Sequence, residues 1–338
     1  MKIIVDAFGG DNSPEEIVKG TLDAIREREG FDVALVGKEN AVRSLLQKET
    51  DYDASRVSVV NADDVITCEE APVEAIRKKT DSSIVVAAKL LKEDSSAKAF
   101  VSAGSSGAVL AAAIFLTPRI KGIIRPALAP TMPNLQGGET MLLDCGANVD
   151  VKPMNLAQFA LMGSIYMSEV KGVKNPRVGL LSNGTEEGKG NSLTKEAYEM
   201  LKDEKDVNFV GNMEARDILS GNYDVVVSDG FNGNIALKSM EGAINCIFTS
   251  LKAEIKASKK ATLGALLMKK ALKNLKNKLD YNKKGGAVLL GMEKVIVKAH
   301  GSSKAEAFKN AIFQAYYAAT MDVGGKIRSK LTTGEDNV

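Results

Sequence analysis

The sequence predicts a three-layer α/β/α fold built on a mostly parallel sheet. Short apolar runs rich in β-branched residues recur along the 338-residue chain, and amphipathic helical patterns separate them. Hydrophobic residues make up 44% of the chain and charged residues 26%, which is the mixture of an ordinary globular protein. Because near-continuous apolar strands must be covered on both faces, we expect helices on each side of the sheet.

Seven apolar runs mark the predicted strands. They occupy residues 3–5, 33–36, 57–60, 99–102, 141–144, 178–181 and 225–228. The first helix is expected to be capped by Ser13, with Pro14 at its first position and Glu16 completing a capping box. No long linker or internal repeat divides the chain, so one continuous domain is predicted over residues 1–331, followed by a flexible tail at 332–338.

A lysine-rich helical arm is predicted as an insertion at about residues 233–284. Its first helix should cover residues 233–256 and its second residues 262–279. Residues 252–284 include eleven lysines and only two acidic residues, whereas the whole chain has a net charge of +2. The rest of the chain is therefore net acidic, and the basic charge is concentrated on the arm.

The second arm helix is predicted to be amphipathic. Leu267 and Leu275 fall on one face of a helical wheel, and Lys269 and Lys273 fall on the other. Such a helix can rest on an anionic membrane, or it can pack on a partner helix while its lysines meet an acidic protein. A dimerisation helix with a solvated lysine face is the alternative.

Composition excludes several classes of function. Three widely spaced cysteines and a single histidine argue against a zinc or iron site, and the absence of Trp argues against stacking on nucleic acid bases. Neither a signal peptide nor a membrane span is recognisable, so a cytoplasmic protein is expected. The glycine-rich segments match neither the dinucleotide fingerprint nor the Walker lysine motif.

Five predicted strands end in glycines mixed with Ser, Thr, Asn or Asp. These ends are residues 6–11, 102–107, 144–148, 182–190 and 228–234. The carboxyl ends of parallel strands lie along one edge of a sheet, and glycine lets backbone N–H groups approach a ligand there. Helix N-termini at the same edge favour anions. Together, the five strand ends predict a polar, anion-binding cleft. Any one of them alone could equally be an ordinary tight turn.

At these segments the chain resembles the phosphate acyltransferase (PlsX) family of bacterial phospholipid synthesis. The similar segments are, in order, DAFGGD, SAGSSGAVL, RPALA, LDCGAN, LLSNGTEEGKG, SDGFNGNIALK and GGAVLLG followed by AHGSS. Together they extend over residues 1–328. One departure is visible, because Ser105 and Ser106 stand where the family's pattern has Asn-Thr. A small polar contact can persist there, but with different donors.

The resemblance implies a reaction and a set of partners. The family transfers a fatty acyl group from acyl carrier protein to orthophosphate, and the acyl phosphate goes to a membrane glycerol-3-phosphate acyltransferase. A homodimer is implied, without a metal or organic cofactor, with a fold similar to phosphotransacetylases and to isocitrate and isopropylmalate dehydrogenases. The product must reach a membrane enzyme, so we also expect peripheral contact with the inner face of the cell membrane through the lysine-rich arm.

The candidate site residues suit this chemistry. Orthophosphate is already an anionic nucleophile and a thioester releases a stable thiolate, so the site needs positioning and charge rather than a Ser-His-Asp set. Lys189 is expected to supply charge, Asn232 to donate to phosphate or the oxyanion, and His300 to bind phosphate or protonate the leaving thiol. The predicted phosphate- and substrate-binding residues are Ser102, Gly104, Ser105, Ser106, Gly107, Asn183, Gly184, Thr185, Asp229, Gly233, Asn234 and Lys238.

Several alternatives remain open from the sequence. Cys145 follows a predicted strand and could form an acyl-enzyme, although a buried, inert cysteine is the commoner case. The same chemistry with acyl-CoA as donor would make the protein a phosphotransacetylase. A decarboxylating, NAD-dependent dehydrogenase is a rival on the same fold, and a basic scaffold at the membrane surface is the alternative that is not an enzyme.

Overall fold

The computed structural model describes residues 1–279 and 285–335; the side chains of residues 276–278 and 332–335 are not described. Eleven strands form one sheet in the order β3-β2-β1-β4-β11-β10-β5-β6-β9-β7-β8. The strands are β1 (Lys2–Asp6), β2 (Asp32–Gly37), β3 (Val57–Asn61), β4 (Ala97–Ser102), β5 (Ala127–Pro133), β6 (Glu139–Leu143), β7 (Arg177–Ser182), β8 (Asn208–Glu214), β9 (Val225–Val227), β10 (Ala287–Leu290) and β11 (Val295–Lys298).

Twelve α-helices connect these strands within the described ranges. They are α1 (Glu15–Glu27), α2 (Glu39–Leu46), α3 (Pro72–Lys78), α4 (Ser83–Glu93), α5 (Ser106–Leu116), α6 (Pro153–Glu169), α7 (Ser192–Lys202), α8 (Gly230–Ala257), α9 (Lys259–Leu267), α10 (Lys269–Leu279), α11 (Ala305–Thr320) and α12 (Val323–Glu335).

Alternate residues of the strands enter separate cores, which produces the three layers. Ile3 and Val5 of β1 pack in a core that contains residues of α1, α6, α7 and α11, whereas Ile4 packs with α3, α4 and α5. The first core extends across the whole sheet, and α8 covers the opposite face beyond β5. The predicted α/β/α architecture with a mostly parallel sheet is confirmed.

The sheet consists of two halves that run in opposite directions. Strands β3, β2, β1, β4 and β11 are parallel to one another, and β6, β9, β7 and β8 form a second parallel set. Strand β10 is antiparallel to β11 and β5, and β5 is antiparallel to β6. Because β5 pairs with β10 through residues 127–130 and with β6 through 131–133, the halves are offset and their carboxyl ends face each other.

This arrangement corrects one expectation and adds strands. The expectation that all five glycine-rich strand ends lie along one edge is wrong, since they lie along two edges that face each other. The seven predicted strands are present, but four further strands, β5, β8, β10 and β11, are not among them. The sequences of β5 (ALAPTMP) and β8 (NFVGNME) lack the β-branched apolar runs on which strand prediction depends.

Local details differ at α1 and the arm. Pro14 occupies the N-cap position of α1, and the Glu16 carboxylate accepts a hydrogen bond from the backbone of Ala305, so the predicted capping box is absent. The second arm helix is divided at Met268 into α9 and α10. Helix α12 continues to Glu335 in the region assigned to the tail; residues 280–284 of the arm and 336–338 of the tail lie outside the described residues.

Candidate active site

The ends of β1 and β4 are joined by a buried hydrogen-bond network. The Ser102 hydroxyl donates to the Asp6 carboxylate (2.6 Å) and accepts from the backbone of Gly104 (3.0 Å). The backbone N–H of Phe8 also donates to Asp6 (3.1 Å), and burial raises the pKa of this carboxyl. A Cβ on Gly9 would lie 2.5 Å from both Asp6 and Gly104, so only glycine permits this approach. The structure therefore places Ser102 beneath the turn, where its hydroxyl orders the backbone.

Lys298 is the cation that sequence reasoning missed. It ends β11 in register with Ser102 and is 9% exposed. Its ammonium group donates to the carbonyl oxygens of Ala299 and Ala103. Burial lowers the pKa of Lys298 to about 8, although the Asp6 carboxylate acts in the opposite direction. The signal was a lysine at the end of the apolar run Val-Ile-Val, directly before Ala299 and His300.

A cavity of about 140 Å³ lies where the two halves of the sheet face each other. We call it the cationic cavity because three basic side chains line it, from β11, from the segment after it and from α8. Its lining includes Ser106, Leu128, Pro130, Thr131, Cys145, Asn234, Lys238, Lys298 and His300. Ser106 is the first residue of α5, so a helix N-terminus also faces the cavity. Basic groups and a helix N-terminus together favour an anion.

His300 and Lys238 differ in their environment. The backbone N–H of Ser302 donates to His300 Nδ1 (3.2 Å), which assigns the proton of a neutral ring to Nε2. Burial, followed by the charge of Lys238, lowers the pKa of His300 and keeps the ring neutral at pH 7. The Lys238 ammonium group pairs with Glu241 at 2.8 Å, one turn further along α8. Because Glu241 lines the cavity as well, Lys238 and Glu241 enter it as an ion pair, and His300 brings a neutral N–H donor.

The start of α8 is fixed against the turn after β6. Asp229 caps the helix by accepting from the backbone of Asn232 (2.8 Å) and from its side-chain amide (2.6 Å). A Cβ on Gly233 would lie 1.9 Å from the carbonyl oxygen of Asp144. The Asp144 carboxylate accepts from Asn148 and other turn N–H groups, while burial raises its pKa. These contacts place Asn234 at the cationic cavity.

A second cavity of about 720 Å³ lies along another side of α8. Its lining includes Leu181, Ser182, Asn183, Asn191, Thr194, Arg216, Asn232, Ile235, Ser239 and Ala243. The predicted site residues are thus divided. Asn183 and Asn232 line the second cavity, whereas Ser106, Asn234, Lys238 and His300 line the cationic cavity.

Other predicted residues line neither cavity. Thr185 and Lys189 are exposed, and Gly184 is buried against the Lys189 side chain. Ser105 occupies the N-cap position of α5 without a capping hydrogen bond from its side chain, and Gly107 in the same helix packs so closely on Pro72 that a Cβ there would lie 2.5 Å from its ring.

Cys145 lines the cationic cavity but is not activated. It is 4% exposed, and burial followed by the charge of Asp144 raises the pKa of the thiol well above its usual value. Its contacts are the carbonyl oxygens of Leu142 (3.6 Å) and Gly233 (3.9 Å). A backbone carbonyl cannot act as a base and deprotonate the thiol. Within the described residues, no group of three or more His, Cys, Asp or Glu side chains could hold a metal ion.

Comparison with known proteins identifies the family. The family model described as fatty acid synthesis protein matches residues 1–326. A phosphate acyltransferase of Clostridium novyi is 49% identical over 98% of both chains, and one of Bacillus cytotoxicus is 48% identical over 93% of both.

Solved structures with a similar fold are more distant. A phosphotransacetylase from Streptococcus pyogenes has a TM-score of 0.61 and 19% identity, covering 95% of this chain and 94% of its own. A protein described as a 4-hydroxythreonine-4-phosphate dehydrogenase from Salmonella typhimurium has a TM-score of 0.52 and 12% identity, covering 95% and 99%. The similarity to these two structures concerns the fold alone. The matched family model and the relatives of 48–49% identity show that the chain belongs to the phosphate acyltransferase family.

Proposed function

We propose that the cationic cavity is where orthophosphate meets the thioester of an acyl group carried by acyl carrier protein. Acyl transfer to phosphate follows from family membership; the donor and the place of the reaction are the proposal. The observation that carries it is the convergence of Lys238, Lys298 and the α5 N-terminus on one small cavity. Two cations and a helix N-terminus suit a phosphate, and a partly buried site strengthens their attraction for it.

The reaction needs positioning more than proton transfer. A phosphate oxygen attacks the thioester carbonyl carbon, and the carbon–sulfur bond breaks with its electron pair on sulfur. The proton that the attacking hydrogenphosphate loses passes through water to the leaving thiolate. Lys298 and Lys238 hold the phosphate, and Asn234 with the Nε2–H of His300 donates to the oxyanion that develops on the carbonyl oxygen. Direct attack is favoured over an acyl-enzyme because the Cys145 thiol stays protonated.

The second cavity and the loop beside it complete the proposed donor site. Asn183 and Asn232 are among the polar residues that line this mainly apolar space, and Lys189 lies exposed on the same glycine-rich loop as Asn183. An acidic carrier protein approaching this side would meet Lys189 and Arg216. We propose that Asn232 and Lys189 contact the acyl donor rather than the phosphate.

The lysine-rich arm supports a proposal of membrane contact. Leu263, Leu266, Leu267 and Met268 are all more than half exposed, and lysines flank them in α9 and α10. Exposed leucines beside lysines suit the surface of an anionic bilayer. Within the described part of the chain, no helix is both long and apolar enough to span a membrane. We propose that a homodimer rests on the inner face of the cell membrane and releases acyl phosphate to a glycerol-3-phosphate acyltransferase there.

The decisive experiment is a direct assay. Palmitoyl-acyl carrier protein is incubated with phosphate, and acyl phosphate is trapped as its hydroxamate. We expect product with this donor and a lower kcat/KM with palmitoyl-CoA. A higher kcat/KM with acyl-CoA would instead favour a phosphotransacetylase, and NAD-dependent oxidation with no acyl phosphate would favour the dehydrogenase.

A further inference from the structure

An apolar groove leads away from the cationic cavity beneath α8. Its lining residues, which define the α8 groove, are Met132, Pro133, Leu219, Leu237, Met240, Glu241, Ile244 and Leu279. Met132, Leu237 and the neighbouring Glu241 also line the cationic cavity, so the two spaces share a wall. The single acidic group at this junction, Glu241, is paired with Lys238.

We infer that the α8 groove binds the acyl chain of the donor and that Ile244 limits the chain length. The inference rests on the proposed reaction in the cationic cavity. A thioester carbonyl held beside Lys238 and His300 must direct its hydrocarbon chain into an adjoining space. The α8 groove is that space, because its walls offer a chain only apolar side chains beyond Glu241.

The second cavity is a poorer place for the chain. It shares no lining residue with the cationic cavity, although Met240 touches both it and the α8 groove. Most of its lining surface is apolar, but Ser182, Asn183, Asn191 and Arg216 also line it, and their polar groups would lose water beside a hydrocarbon chain.

The α8 groove can adapt to an incoming chain. Its free volume is about 20 Å³, so its own side chains fill it and a chain must displace them. Met132 and Met240 are unbranched, and such side chains change rotamer at small cost. From Leu237 to Ile244 the helix rises about 10 Å, which gives the groove a defined length with Ile244 at its far end.

Two adjacent residues of α8 provide a matched test. Ile244 lines the α8 groove, whereas Ala243 lines the second cavity. In Ile244→Trp, we expect kcat/KM for palmitoyl-acyl carrier protein to fall at least about tenfold relative to the octanoyl donor. In Ala243→Trp, the ratio between the two donors should remain that of the unchanged protein. Thermal unfolding of both variants checks that the fold is retained.

A second substitution keeps the test valid if the bulky variant does not fold. Ile244→Ala enlarges the far end of the groove, so the palmitoyl donor should gain relative to the octanoyl donor. An unchanged donor ratio in the Ile244 variants, or a change in Ala243→Trp instead, overturns the inference while the reaction itself stands. Absence of acyl phosphate from the unchanged protein with every donor would refute the proposed function, which is a different result.

Discussion

The α-carbon of Gly233 lies so close to the carbonyl oxygen of Asp144 that a Cβ at residue 233 would come within 1.9 Å of it. This contact seats α8 on the turn after β6. Gly230, one turn earlier, is similarly close to the backbone of Asn148, at 2.5 Å from an added Cβ. Two glycines in the first turn of the helix thus set the position of Asn234 and Lys238 at the cationic cavity.

Gly233→Ala should therefore destabilise the protein, by about 1–3 kcal/mol, because the new methyl group meets backbone that cannot move aside. The control is Gly242→Ala in the same helix, where no atom outside the adjoining helix backbone lies within 4 Å of an added Cβ. Ala is the better helix former, so this control should stabilise by about 0.5–1 kcal/mol. Urea unfolding measures both free energies. Equal effects of the two substitutions would contradict the close approach.

The titration of the Lys298 ammonium group should set the upper pH limit of activity. Its side chain faces Asp6, Asp11, Cys68 and Lys238, and burial lowers its pKa to about 8. The ammonium group is charged below that pH and neutral above it, so kcat/KM for phosphate should fall as pH rises through about 8. The pH profile of initial rates measures this. Lys298→Arg should move the fall to higher pH, since guanidinium stays charged, and Lys298→Met should weaken phosphate binding below about pH 8 and abolish the fall. A profile shared by the unchanged protein and the Arg variant would exclude this role.

Sequence reasoning found the turns that build the site but not their arrangement. Glycines beside Ser, Asn and Asp mark strand ends, because tight turns and close backbone contacts leave few other choices. The reversal of the sheet depends on β5, an Ala- and Pro-containing strand that pairs with one half through residues 127–130 and the other through 131–133. Both this offset and the burial of Lys298 depend on contacts between distant segments of the chain. The periodicity of the sequence therefore does not predict them. The division of the predicted site residues between the two cavities beside α8 likewise depends on contacts between distant segments.

The Cys145 thiol should be dispensable. It is buried with a raised pKa and contacts carbonyl oxygens rather than a base. Cys145→Ala should therefore keep turnover within about tenfold of the unchanged protein, a barrier change of about 1.4 kcal/mol. Steady-state hydroxamate assays measure it, and Cys145→Ser controls for the lost volume. A loss above about a hundredfold with the fold intact would mean that an acyl-enzyme forms.

Lys238 and Lys189 should have different effects on the two substrates. Lys238 lines the cationic cavity, whereas Lys189 is exposed on the loop after β7. Removing a charged donor from a bound anion costs about 1.5–3 kcal/mol, so Lys238→Met should raise the KM for phosphate by roughly ten- to a hundredfold. Lys189→Met should instead raise the KM for acyl carrier protein. The reverse assignment of the two KM effects would move phosphate to the loop after β7.

The arm carries the last prediction, which separates membrane contact from docking of the carrier protein. Leu267 is 83% exposed at the end of α9, and Leu275 is 47% exposed in α10. Replacing both with Glu removes apolar area and adds negative charge, so the variant should no longer sediment with anionic phosphatidylglycerol vesicles. A water-soluble acyl transfer assay should be unaffected, because neither residue lines the cationic cavity.

Lys269→Glu with Lys273→Glu tests the charged face of the same region. If an acidic carrier protein docks on these lysines, its KM should rise, and the defect should shrink as salt is added, because ionic strength screens attraction in the unchanged protein. The phosphate KM serves as the internal control and should not move. If both double variants bind vesicles and carrier protein normally but sediment as monomers in an analytical ultracentrifuge, the arm is a dimerisation element. Membrane contact and carrier docking would then have to be sought on another surface of the protein.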